Sequence, residues 1–98
     1  MKLDLKRKHF VIVNDILLNY PKLKFYVFGS RAKGGAKELS DLDLVVMPSP
    51  TKLELTNLKE AFEDSDLPYK VDLVVWDDID KNFKANIEND LVLFSQKS

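Results

Sequence analysis

The sequence predicts an α/β (α+β) fold: a small mixed three-stranded sheet flanked by helices, in the order α-β-α-β-α-β-α. Three observations carry this. Runs rich in β-branched and aromatic residues occur at 24–28, 42–47 and 70–76. Apolar residues recur at helical spacing before, between and after these runs. The length of 98 residues suits one domain, so residues 1–98 are expected to form a single unit.

Each element has its own signal. Leu5, Ile12, Val13, Ile16, Leu17 and Tyr20 share one side of a helix over residues 5–20, and Pro21 stops it. Lys24 to Phe28 reads as the first strand. Gly29 to Ser40 is polar and holds Gly29, Gly34 and Gly35, so it is a loop with room for one helical turn after Gly29. Leu42 to Met47 forms the second strand, closed by Pro48 and Pro50. Thr51 and Glu54 have the spacing of a capping box. The helix they open should run to about Glu63, with Leu55, Leu58 and Phe62 inward. Lys70 to Trp76 is the third strand. Asp77 or Asp78 then caps a last helix, in which Ile79, Phe83, Ile87 and Leu91 repeat every four residues. A sheet with helices against it buries these apolar faces. The loop between the first two strands is long for so small a domain, and such loops tend to carry function.

Composition excludes several classes. Lys and Arg number 15 and Asp and Glu 16, for a net charge of −1. Strong non-specific binding to nucleic acid needs a cationic excess, so a long nucleic-acid substrate is not expected. No run of about 18 apolar residues is present, so no membrane helix is expected. The basic N-terminus lacks the apolar region and cleavage site of a secretory signal. Cysteine is absent, which removes disulfides and thiolate ligands. A cytoplasmic location fits these features.

Three segments carry chemistry. Gly29-Ser30-Arg31-Ala32-Lys33-Gly34-Gly35 follows an apolar strand, where the chain must turn sharply. Glycine allows positive φ and close approach of a ligand to the backbone. Successive N–H groups at such a turn form an anion site, to which Ser30 adds a hydroxyl and Arg31 and Lys33 add charge. Asp41 and Asp43 share one face of the second strand by alternation. Two carboxylates side by side repel each other unless a cation intervenes, and hard oxygen ligands suit Mg²⁺. Asp72 interrupts the third apolar strand, on the face opposite Val71, Leu73 and Val75. If the second and third strands are neighbours, the three carboxylates can hold two metal ions about 4 Å apart for in-line displacement at phosphorus. Taken singly, each segment has a plainer reading: a solvated turn, two of many acidic residues, a solvated strand end. Asp77, Asp78 and Asp80 suit a helix start. His9, the lone histidine, falls on the inner face of the first helix, where packing is the simpler role. Trp76 suits the core or an interface.

Together the segments resemble a known pattern. Gly29-Ser30, then ten residues, then Asp41-x-Asp43 is similar to the signature of the nucleotidyltransferase superfamily that includes DNA polymerase β. The stretch FGSRAKGGAKELSDLDL, from Phe28 to Leu44, resembles the minimal nucleotidyltransferase domains of bacteria and archaea. Asp72 lies where those proteins carry a third carboxylate. The resemblance implies a Mg²⁺-dependent enzyme using two ions, with ATP as substrate. Asp41 and Asp43 would bind both ions, and Asp72 the ion nearest the attacking hydroxyl. Gly29 and Ser30 would hold the triphosphate, with Arg31 an auxiliary contact. Only 26 residues follow Asp72, so a separate protein is expected to complete the acceptor site. Minimal domains of this kind resemble the antitoxin half of toxin–antitoxin pairs. Their partner is an all-helical HEPN toxin, and AMP goes from ATP to one of its tyrosine hydroxyls. Two alternatives stay open at this point: a toxin-binding module without catalysis, and transfer to a small molecule such as an aminoglycoside or to an RNA end. A homo- or hetero-oligomer is compatible with either.

Overall fold

Hydrophobic alternation in the strands sorts the side chains onto two faces, and both faces are covered by helices. The structure, a computed structural model, describes residues 3–95. Helix α1 spans Arg7–Leu17, strand β1 Lys24–Phe28 and the single-turn helix α2 Ser30–Lys33. Strand β2 is Leu42–Met47, helix α3 Lys52–Glu63 and strand β3 Val71–Val75. A 3₁₀ turn at Trp76–Asp78 leads to helix α4, Lys81–Ile87, and a second at Glu88–Asp90 leads to strand β4, Val92–Leu93.

The sheet order is β3-β2-β1-β4. Strand β1 runs antiparallel to both β2 and β4, whereas β2 and β3 are parallel. Parallel neighbours need a crossover, and α3 supplies it. Phe25 and Val27 of β1, with Leu42, Leu44 and Val46 of β2, pack against Val13 and Leu17 of α1 and Leu58 and Phe62 of α3. The opposite face, with Phe28, Val45, Tyr26 and Val74, packs against Phe83 and Ile87 of α4. Asp41, Asp43 and Asp72 have the parity of this second face.

The capping box forms as expected. Thr51 Oγ1 accepts from Glu54 N–H at 3.1 Å, and Glu54 Oε1 accepts from Thr51 N–H at 2.9 Å. Three expectations need correction. The sheet has four strands, because the last helix stops at Ile87 and Leu91 lies beyond it. The chain then lies along the open edge of β1, where Phe94 N–H donates to the Phe25 carbonyl at 2.8 Å. Phe94 is 1% exposed and stacks on Phe10 with ring centroids 4.7 Å apart. Burial of that ring outweighs continuation of the helical repeat. The cap of α4 is Asp80, whose Oδ1 accepts from Phe83 N–H at 2.8 Å. Asp77 instead accepts from the Ser49 hydroxyl at 2.7 Å, inside the 3₁₀ turn. Helix α1 starts at Arg7 rather than residue 5, and Leu5 packs against the core from the segment before it.

Truncating the anchor of the fourth strand gives a direct check. Phe94→Ala is expected to cost about 3–5 kcal/mol, the usual loss for a fully buried phenylalanine. Urea unfolding would show it as a lower midpoint at unchanged slope.

Candidate active site

The parallel register of β2 and β3 sets Asp43 directly beside Asp72. Asp41 precedes β2 by one residue and stands on the same side by alternation. On the other flank of β2, the antiparallel register pairs Asp43 with Phe28. Gly29 follows Phe28, so the turn begins alongside the Asp43 carboxylate.

Gly29 has φ 74° and ψ −156°, a region that L side chains rarely adopt. A Cβ at this position would lie 2.5 Å from Asp43 Oδ2. Two constraints therefore select glycine here, the backbone angle and the close approach of a carboxylate. The Gly29 carbonyl accepts from the N–H groups of Ala32 and Lys33, both at 3.1 Å, which closes the single turn of α2. The leading N–H groups of a helix have no partner within it. Here those are the N–H groups of Ser30 and Arg31, which follow the glycine that abuts Asp43. Two backbone N–H groups and the Ser30 side chain thus follow directly on the turn beside Asp43, an arrangement suited to an anion next to the carboxylates.

The electrostatics agree with the register. The Asp43 carboxyl is pushed up to about 6 by burial, then by the charges of Asp72 and Asp41, and by a hydrogen bond with Asp72. The neighbours that act on Asp43 are the other two predicted carboxylates, so the fold brings the three into one another's field. Asp72 and Asp41 are exposed, and Asp43 is half-buried between them. Among the described residues, no three acidic or histidine side chains are already closed into a metal cage. The donor set nevertheless fits Mg²⁺: three hard carboxylates whose mutual repulsion a dication would relieve. Protons compete with that cation. Affinity for Mg²⁺ should therefore be steady above pH 7 and fall as pH drops through 6, which isothermal titration at pH 5.5, 6.5 and 7.5 would show.

Arg31 is the predicted residue that the structure does not bring to the carboxylates. It is 5% exposed, and its guanidinium points into the protein. Nε and Nη2 donate to the Ser40 carbonyl at 3.0 and 2.7 Å, and Nη1 donates to the Asp4 carbonyl at 2.8 Å. The Tyr69 ring covers it, with the guanidinium carbon 4.0 Å from the ring centroid. A group so engaged has little left for a triphosphate. The exposed cation of the turn is Lys33, paired with Asp90 at 3.1 Å. His9 is buried edge-on to Tyr69 at 5.3 Å, and burial lowers its pKa. It lies within the core, in keeping with a packing role. Trp76 is partly buried in the second cluster, with Lys84 5.2 Å from its ring centroid. Sequence reasoning missed Asp4 and Tyr69, for which no local pattern exists: their partners lie far along the chain.

A groove of about 580 Å³ runs between the end of α3 and β3, lined in part by Phe62, Leu67, Tyr69 and Val71. Asp72 forms part of its wall. Its other lining residues from β3, Val71 and Leu73, belong to the α3 face of the sheet, and Asp41 and Asp43 are not part of the lining.

A four-stranded mixed sheet with a glycine–serine turn beside three carboxylates defines a nucleotidyltransferase. The chain matches the family described as polymerase beta, nucleotidyltransferase, over residues 12–98, and belongs to that family. Among its relatives is a protein of Haemophilus influenzae named probable protein adenylyltransferase MntA. The two are 39% identical over 99 residues, covering 98% of this chain and 87% of the relative.

Proposed function

We propose that this nucleotidyltransferase uses Mg²⁺ to transfer AMP from ATP to a tyrosine hydroxyl of a HEPN-type toxin, as the antitoxin of a pair. The observation that carries the catalytic part is the pairing of Asp43 with Asp72 across parallel strands, beside Gly29. The protein acceptor rests on the likeness to a relative named as a probable protein adenylyltransferase. The near-zero net charge argues against a long nucleic acid as acceptor. Among the described residues no helix is long and apolar enough to cross a membrane. The reading places the protein in the cytoplasm, where ATP and Mg²⁺ are both available.

Asp41 and Asp43 would hold both ions and Asp72 the one nearer the acceptor. Bound there, Mg²⁺ supplies neutralising charge for the triphosphate. The chain does the rest by position. Gly29 and Ser30 hold the β- and γ-phosphates through backbone N–H groups and a hydroxyl. Asp72 takes the proton as the acceptor oxygen attacks the α-phosphorus. A new P–O bond forms to the acceptor, the bond from the α-phosphorus to the bridging oxygen breaks, and pyrophosphate leaves. Orientation and charge placement account for most of the rate, with no covalent intermediate on the protein.

The test is to incubate the protein with ATP, Mg²⁺ and its partner and weigh the intact partner. A gain of one or more adenylyl groups, mapped to a tyrosine by fragmentation, supports the reading. No added nucleotide mass with any of the four nucleoside triphosphates would sink it. Protection from the toxin by an Asp41→Ala/Asp43→Ala variant would indicate neutralisation by occlusion instead.

A further inference from the structure

The geometry points to Arg31 as a positioning residue that fixes the phosphate turn against the carboxylates without touching substrate. This rests on the proposed catalytic reading of Gly29, Ser30, Asp41, Asp43 and Asp72. The guanidinium joins every segment that carries one of those residues. Its own residue follows Ser30. Two of its hydrogen bonds, from Nε at 3.0 Å and Nη2 at 2.7 Å, end on the Ser40 carbonyl, the last before Asp41. Nη2 also reaches the carbonyls of Lys37 and Glu38 at 3.3 and 3.2 Å, gathering the tip of the glycine-rich loop. The Tyr69 ring that stacks on it lies three residues before Asp72. Next to Tyr69, the Lys70 carbonyl accepts from Leu42 N–H at 2.9 Å, which ties the same two strands.

A fourth segment locks the arrangement. Asp4 N–H donates to the Arg31 carbonyl at 2.8 Å, and the Asp4 carbonyl accepts from Nη1. The Asp4 carboxylate accepts from Ala36 N–H at 2.9 Å. Asp4 lies outside residues 12–98, the span of the family match. The segment before α1 thus acts as a strap over the loop, with Arg31 as its buckle.

Only arginine can do this. Its planar fork serves several carbonyls at once and presents a flat face to an aromatic ring, whereas lysine offers a single ammonium. Burying a guanidinium against carbonyls and a ring face, with no ion pair to it among the described residues, is costly. That cost is understandable if the spacing it sets matters.

The test compares full-length wild type, Arg31→Lys and Asp4→Ala by Mn²⁺ affinity, ATP affinity and kcat with the protein acceptor. Supporting shells of metal sites typically contribute 10–100-fold, so Arg31→Lys should lower kcat and weaken Mn²⁺ binding by about 10–100-fold, with ATP affinity changed less than about threefold. Amide exchange at Ser40–Asp43 should speed up in the same variant. Asp4→Ala keeps Arg31 and removes only the bond to Ala36. It should weaken Mn²⁺ binding by a smaller factor, and it serves if Arg31→Lys does not fold. Wild-type Mn²⁺ affinity in either folded variant overturns the inference. Loss of ATP affinity alone overturns it too, because that is the signature of a direct phosphate contact. Failure of the proposed function looks different: wild type would then bind Mn²⁺ no better than Asp43→Asn.

Discussion

Replacing Asp43 with asparagine is expected to lower AMP transfer by about 10³-fold or more, the scale of removing a group that holds charge-stabilising metal in a phosphoryl-transfer site. The same substitution should make the metal-free protein more stable at neutral pH. The sign follows from the shift of its carboxyl from 3.8 to about 6. A carboxyl with a raised folded-state pKa favours the fold while protonated. That contribution is full below pH 4 and is lost as pH rises through 6. Above pH 7 the wild type therefore carries an unfavourable carboxylate, and asparagine removes it. After allowance for solvent screening of a half-buried group, the gain is about 1 kcal/mol. Urea unfolding at pH 4 and pH 8 would show variant and wild type alike at the lower pH and separated at the higher. Mass analysis of the acceptor reads the rate. A variant that keeps a tenth of wild-type transfer, or loses stability at pH 8, would remove Asp43 from the centre of the site.

Gly29→Ala should be nearly as damaging, for a steric reason. The added methyl carbon would sit 2.5 Å from Asp43 Oδ2, well inside contact distance. Either the carboxylate swings away or the turn moves. The backbone angle of 74° adds strain of about 1–2 kcal/mol for any residue with a Cβ. Displacing a ligand by about 1 Å can cost 10²-fold in rate, so kcat is expected to fall by at least that factor. Mn²⁺ binding would fall in parallel, because the same oxygen moves. Gly34→Ala makes a fair control: it too has positive φ, but nothing lies within 4 Å of its Cβ site. Equal activity losses in the two variants would point to backbone strain rather than the carboxylate contact.

Much of this was legible in the sequence, and the divide has a physical basis. Strands β1 and β2 and helix α3 were readable because their signals are local: alternating apolar runs, flanking prolines, and a Thr-x-x-Glu capping box. Spacing alone placed Asp41 and Asp43 on one face. The neighbourhood of Asp72 was readable only conditionally, since it depended on β2 and β3 being adjacent. Strand β4 was missed because Leu91 continued a four-residue repeat, while the competing gain, burial of Phe94 against Phe10, is a tertiary contact. The direction of Arg31 was unreadable for the same reason. Its position beside Ser30 suggested a ligand, but its partners Asp4 and Tyr69 lie 27 and 38 positions away in the chain.

The parallel pairing of β2 with β3 bears on how activity is acquired during biosynthesis. Asp43 and Asp72 sit on strands joined by a whole helical crossover, so no short fragment can bring the two carboxylates together. Parallel pairing of this kind needs a large loop to close before any ladder bond rewards it. A nascent chain that has not yet paired β2 with β3 would therefore lack the carboxylate pair on which the proposed activity depends.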